Sequence, residues 1–280
     1  MVVIISAVTM LLLAILMAVV LGWAKNAFHV EVDPRVERIN EVLPQANCGA
    51  CGYAGCNDYA EAVVAGEAEP QQCPVGGSSC AEMIADIMGV EVGESFPNRP
   101  IVHCGATEKN RLQRHAYSGE RTCTAATGVA GVQGCTYGCL GYGDCVVSCD
   151  YDAIHIIDGL AVVDYDKCVG CAACAKACPR DIIEMVSFKA DDMMKVACSN
   201  KDGGKAVKSV CQVGCIACKR CAKESENFSV DEGIALIDYE SYDPAQADSD
   251  NSAMEKCPTN CIFMAGKNHP RGAAPEDAGE

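Results

Sequence analysis

Cysteines at positions 168, 171, 174 and 178, the last followed by Pro179, constrain this chain more than any other feature. In a C-x2-C-x2-C-x3-C-P run, three thiolates close on one iron–sulfur cluster and the fourth reaches its neighbour, the arrangement of two-cluster ferredoxins. A preceding half has the same closing step: Cys135, Cys139 and Cys145 lead to Cys149 and then to the apolar run Ala153-Ile154-His155-Ile156-Ile157. Cross-ligation therefore puts Cys135, Cys139, Cys145 and Cys178 on one 4Fe-4S cluster, and Cys168, Cys171, Cys174 and Cys149 on the other. The first half is irregular, because Tyr142 stands where the middle cysteine belongs and Cys135 is taken to supply the missing ligand. Zinc also favours C-x2-C steps, but tetrahedral zinc sites rarely interleave eight thiolates in this order.

The whole chain has 22 cysteines among 280 residues, with one Trp and five Phe, so clusters must replace much of an ordinary core. Disulfides are the alternative, since the chain begins with an apolar segment that could export it. Tight runs such as Cys215, Cys218 and Cys221 favour a metal centre instead. The apolar segment, Val2 to Trp23, carries no charge over 22 residues. At about 1.5 Å per residue it crosses a hydrocarbon core of about 30 Å. It lacks the basic start and small-x-small cleavage site of a signal peptide, so residues 1–29 read as a retained single-pass anchor. Lys25, Arg35 and Arg38 follow the span and nothing basic precedes it, which places the cluster domains on the cytoplasmic side of the cell (inner) membrane.

Residues 30–88 form a small unit with Cys48, Cys51, Cys56 and Cys73, four ligands for one more 4Fe-4S cluster. Gly49, Gly52 and Gly55 between them suit a backbone that turns tightly and offers N–H groups to sulfur. Asp58 to Glu69 reads as a helix ending before Pro70, and Gly89 to Pro100 as a linker. Residues 89–133 carry Cys104 and Cys123 into a two-cluster unit at 134–190.

A second, degenerate copy occupies 191–265, ahead of a flexible tail at 266–280. Cys135, Cys139 and Cys145 recur as Cys211, Cys215 and Cys221; Ala161 to Asp166 recurs as Ala235 to Glu240; Cys178-Pro179 recurs as Cys257-Pro258. Ser241 to Lys256 should repeat the C-x2-C-x2-C run and contains no cysteine, and Ser225 stands at the lost cluster's fourth ligand. Cys215, Cys218, Cys221 and Cys257 hold the surviving cluster. The acidic replacement, with Asp243, Asp248 and Asp250, fails as a calcium loop: Ala253 sits where Gly is needed and Thr259 where Glu is needed. It reads as a solvated loop.

Cys104, Cys123, Cys198 and Cys211 remain, and either hold a further cluster between the units or are free thiols; Cys80 and Cys261 read as structural. His29, His103, His115, His155 and His269 form no close ligand pair. No dinucleotide fingerprint, P-loop or nucleophile with a matching base is present, so no catalytic residue is assigned. The net charge of -16 argues against nucleic acid, although Lys201, Lys205, Lys208, Lys219 and Arg220 make a locally basic patch that suits an acidic ferredoxin.

With the anchor, the N-C-G-A-C-G-Y-A-G-C run at 47–56, Cys73-Pro74 and the G-C-T-Y-G-C-L-G-Y-G-D-C run at 134–145, the chain resembles the B subunit of the Rnf complex, the membrane ferredoxin:NAD oxidoreductase. The resemblance implies an electron-transfer subunit between soluble ferredoxin and Rnf subunits A, C, D, E and G, with NAD and flavins held elsewhere and ion translocation as the complex's output. The expected class is α+β: one transmembrane helix, a small 4Fe-4S domain and two ferredoxin-like βαββαβ units; the cysteine groups themselves give four 4Fe-4S clusters, and a fifth if the unassigned cysteines hold one. Asp150, where the family often has Pro, and the missing cluster depart from the family pattern. A polyferredoxin serving a hydrogenase, formate dehydrogenase or redox-sensor reductase, and a zinc scaffold, are the competing readings.

Overall fold

The computed structural model describes residues 2–27, 33–93, 96–113, 115, 117–244 and 248–268; His29, His269 and the tail beyond Asn268 lie outside it. Helix α1, Val2–Ala27, is apolar on every face, and its side chains from Ile4 to Trp23 are exposed. A helix without a polar stripe finds its partner in lipid or in other helices. Its stretch Ile4–Ala24 is long and apolar enough to cross a membrane.

Three helices build the next unit: α2 (Pro34–Val42), α3 (Cys56–Ala65) and α4 (Gly77–Met88). Asp33 caps α2 by accepting the Arg35 N–H at 2.8 Å, and Pro34 presets the first turn. Val36, Ile39 and Leu43 then fall on one face and meet Tyr59, Val63 and Ile84. Helix α3 starts at Cys56 and stops at Ala65, short of the expected Glu69, because Gly66 takes the left-handed conformation at φ 77°.

Strand β1 (Asn98–Val102) begins inside the stretch expected to be a linker. It pairs antiparallel with β4 (Ile183–Ser187), Val102 opposite Ile183. Between them, β2 (Ile154–Ile157) and β3 (Leu160–Val163) form a hairpin. Its turn, Asp158-Gly159, has both φ angles positive, as a two-residue hairpin with right-handed twist requires. The plan repeats downstream: β5 (Asp192–Val196) pairs with β8 (Ile262–Gly266), and β6 (Phe228–Asp231) with β7 (Ile234–Ile237) through a Glu232-Gly233 turn. One hydrophobic core joins the two, with Ile101, Ile154 and Ile183 from the first and Met193, Ile234 and Ile262 from the second.

Short helices carry several of the cysteines: α5 (Cys123–Thr127), α6 (Asp144–Val147), α7 (Ala173–Lys176) and α9 (Cys221–Glu224), while α8 (Gly204–Val210) leads directly into Cys211. Where the lost cluster's run would lie stands α10, Asp248–Glu255. Its acidic composition predicts a solvated loop; instead Asp250 is fully buried, accepting hydrogen bonds from Ser225 Oγ and from Asn227 Nδ2 at 3.0 Å. A side-chain network thus occupies the place where the repeat would call for a cysteine run. Asp250→Ala strands both donors, so the urea midpoint should fall by the equivalent of about 1–3 kcal/mol. An unchanged midpoint would show that the network is idle.

Candidate metal centres

Two glycines let the cysteine loops press against the strands. Gly141 (φ +75) has the Gly159 carbonyl oxygen 2.2 Å from where a Cβ would stand, and Gly170 (φ +78) has the Asn98 oxygen 2.1 Å away. Only a residue without a side chain fits either place. The cysteines between and around these contacts gather at five places.

In the helical unit, Cys51, Cys56 and Cys73 pack against the α2–α4 core, while Cys48 is exposed. Asn47 Oδ1 accepts the Cys56 N–H at 2.8 Å, closing the loop that carries Cys48 and Cys51 onto the start of α3. Hydrogen bonding from Cys80 holds the Cys73 thiol low, at about 6, which favours its thiolate. Cys48 approaches the first β unit: burial raises the Tyr151 phenol, and thiolate charge at Cys48 and Cys171 raises it further.

Four cavities in the β units are each walled by at least four cysteines. Cys149, Cys168, Cys171 and Cys174 line one of about 340 Å³, in the expected grouping. Cys139, Cys145 and Cys178 line a second of about 360 Å³, but Cys123 joins them in place of the expected Cys135. Asp144 brings Cys123 there, its carboxylate accepting the Cys123 N–H at 2.7 Å and the Thr124 N–H at 2.9 Å. Burial works against that carboxylate, yet the bonds from Thr124 and Cys123 hold it below its ordinary range.

Cys135 lies instead in a third cavity, of about 410 Å³, with Cys104, Cys198 and Cys211. The fourth, about 320 Å³, holds Cys215, Cys218, Cys221 and Cys257 as expected, together with Cys261. The sulfurs of Cys257 and Cys261 are 3.5 Å apart, and hydrogen bonding from Cys261 lowers Cys257 to about 5 and Cys215 to about 6. Of the histidines, His103 bonds Glu184 and the Val196 carbonyl, and His155 faces Asp152.

Sulfur is the only charged donor type these cavities share, which suits iron–sulfur clusters or zinc and excludes calcium and magnesium. A lone zinc requires its sulfurs to converge to about 2.3 Å from one point, and among the described residues no three His, Cys, Asp or Glu side chains converge on a single metal ion in that way. Burial drives the thiols of Cys145, Cys174 and Cys198 up to about 12, so a cationic metal would be needed to draw them into the thiolate form. Arg180 beside the Cys178 cavity has a buried Nη1 with no hydrogen-bond partner. Cysteine spacing does not reveal the roles of Asp144 or Arg180, since spacing weighs only the sulfurs; the carboxylate immediately before Cys145 is the one hint at the former.

The Fe-S cluster family model matches residues 43–75, and the 4Fe-4S binding domain model matches residues 161–184. The B subunit of a Na(+)-translocating ferredoxin:NAD(+) oxidoreductase complex from Acetobacterium woodii is 38% identical over 246 residues, 86% of this chain and 72% of that protein. The B subunit of an ion-translocating oxidoreductase complex from Methanosarcina acetivorans is 37% identical over 79% of this chain and 85% of its own. The B subunit of a proton-translocating ferredoxin:NAD(+) oxidoreductase complex from Clostridium ljungdahlii is 35% identical, covering 91% and 90%.

Proposed function

The chain belongs to the family of B subunits of ion-translocating oxidoreductase (Rnf) complexes, and from that membership we propose how its cysteines serve the complex. It is an electron-transfer subunit of a ferredoxin:NAD oxidoreductase complex and carries 4Fe-4S clusters. Four sets of ligands hold them: Cys48, Cys51, Cys56 and Cys73; Cys149, Cys168, Cys171 and Cys174; Cys123, Cys139, Cys145 and Cys178; and Cys215, Cys218, Cys221 and Cys257. The observation that carries this reading is that three of these sets each wall a separate cavity with at least four thiols, while the first gathers Cys48, Cys51 and Cys56 in one loop and helix start of the helical unit. The two strand-paired units are ferredoxin-like, and bound clusters supply one-electron chemistry without proton or group transfer. What the chain contributes is placement, since its N–H groups, inward-facing arginines and apolar walls fix where each thiolate sits.

The partners we assign are Rnf subunits A, C, D, E and G and soluble ferredoxin, on the cytoplasmic side to which Lys25, Arg35 and Arg38 point. Cys218 is exposed, and Lys219 and Arg220 flank it in the wall of its cavity. Lys201 pairs with Glu232, while Lys205, Lys208, Lys219 and Arg220 have no ion pair among the described residues. An acidic ferredoxin docks here. Lys219→Glu with Arg220→Glu should slow association with reduced ferredoxin about tenfold at low salt and flatten its salt dependence. Equal rates for both proteins would move the docking surface elsewhere.

The decisive experiment is anaerobic purification of the full chain in detergent, with metals, sulfide and co-purifying subunits measured. At four irons per cluster it should carry at least about sixteen irons with matching sulfide, bleached by reduced ferredoxin. Fewer than about twelve irons, or stoichiometric zinc, would sink the reading.

A further inference from the structure

We infer that the cavity between the two β units, walled by Cys104, Cys135, Cys198 and Cys211, holds a further 4Fe-4S cluster, with ligands drawn equally from both units. The inference rests on the electron-transfer reading above and adds a centre to it. The four sulfurs arrive by repeated means: Cys104 lies two residues past β1 and Cys198 two past β5. Cys135 and Cys211 each stand four residues ahead of a neighbouring cavity's cysteine, Cys139 and Cys215. Each copy of the duplication thus contributes one sulfur by each route, and neither copy alone can assemble the site.

The surroundings are those of an anion. Arg111, 8% exposed, lines the cavity. Its Nε and Nη2 donate to the Ala106 carbonyl at 3.1 and 2.8 Å, and Nη2 also to the Gly159 carbonyl at 2.8 Å. Its Nη1 is buried with no partner at all. Lys195, 3% exposed, donates to the Val102 carbonyl at 3.2 Å and lies over the Phe263 ring at 4.8 Å. Among the described residues neither cation has a carboxylate partner, and buried charge without a counter-charge is strongly disfavoured.

A cluster held by four thiolates is negatively charged and answers the Arg111 cation in the cavity wall, whereas four neutral thiols do not. The sulfurs also receive donors: Gly138 N–H reaches Cys135 Sγ at 3.3 Å, Asn200 Nδ2 reaches the same sulfur at 3.5 Å, and Asn200 N–H reaches Cys198 Sγ at 3.5 Å. Asn200 is itself 2% exposed, and its Oδ1 accepts the Asp202 N–H at 2.8 Å, which holds the Nδ2 end toward this site. Such N–H···S bonds are the outer support of a metal–thiolate centre.

The test is quantitative metal analysis of the anaerobic full chain in detergent beside two double variants. The unaltered protein should hold about twenty irons, four per cluster over five sites. Cys198→Ser with Cys211→Ser should lose about four of them, as should Cys215→Ser with Cys221→Ser, which calibrates the loss of one cluster. About sixteen irons in the unaltered protein, with none lost from the Cys198/Cys211 variant, would overturn the inference and leave the four-cluster reading standing. One zinc beside about sixteen irons would overturn it as well. Should the variant fold poorly, the iron and zinc count of the unaltered protein decides alone, and a count below about twelve fells the electron-transfer reading and this inference together.

Discussion

Cys178→Ser is expected to remove one cluster's iron, about four atoms per chain, and to cut electron flow through the subunit at least about tenfold, since disturbing even the outer partners of a metal site acts on that scale. The reason lies in how α6 and α7 are threaded. Cys145 and Cys149, four residues apart, face different cavities, and so do Cys174 and Cys178. Serine at 178 therefore strips the site of Cys123, Cys139 and Cys145, while the site of Cys168, Cys171 and Cys174, next along the chain, keeps all its ligands. Burial already pushes the Cys145 thiol up to about 12, so three remaining sulfurs without their full complement of iron charge have little reason to ionise. Site-resolved spectroscopy should show one centre missing and the other intact; damage to the Cys168 centre instead would refute the threading. Cys135→Ser supplies the counter-test, because it should leave the Cys178 centre unharmed.

Removal of Met1 to Ala24 should give a soluble protein that keeps its clusters and still oxidises reduced ferredoxin, yet supports membrane-coupled NAD reduction about a hundredfold less well at the same low concentration. Every proposed ligand lies from Cys48 onward, and the α1 side chains from Ile4 to Trp23 are exposed rather than packed into the cluster units. No ionisable residue stands between Val2 and Trp23, so this helix offers neither a proton relay nor a cation ligand. Its contribution is effective concentration. Membranes lacking the native protein, supplemented with truncated or full-length chain, give the comparison. Cluster loss on truncation, or full restoration at low concentration, would mean that α1 does more than tether.

Local spacing makes much of the site legible. Cys168, Cys171 and Cys174 lie within a single loop, and their partner Cys149 follows from the cross-ligation rule. What local spacing cannot convey is Cys123, which reaches its cavity only because Asp144, 21 residues on, grips the start of α5. A hint is present in the duplication. Cys211, the repeat of Cys135, falls outside the Cys215 set, whereas the irregular first half invites Cys135 into the Cys139 set. Treating the two copies alike frees Cys135 and leaves a vacancy for Cys123. Strand β1 is hidden for a different reason: Asn-Arg-Pro-Ile-Val has no alternation, contains a proline, and takes its identity from β4, far along the chain. The burial of Asp250 is equally invisible, because composition shows a carboxylate and not the Ser225 and Asn227 groups that satisfy it.

The strand pairings also set a timetable for synthesis. Residues 34–88 hold all the partners of their own helical core, so that unit can close soon after it leaves the ribosome. Strand β1 must wait for β4, so Cys104 stays on an open chain until Ser187 has emerged; β5 must wait again for β8, some seventy residues further on. Long-range closure of this kind is slow and leaves thiols exposed to oxygen and stray metal in the meantime. The cavity of Cys215, Cys218, Cys221 and Cys257, whose wall runs on to Ile262, is the last to be walled in, which makes it the one most dependent on iron delivery after translation and the first expected to be empty when that supply runs short.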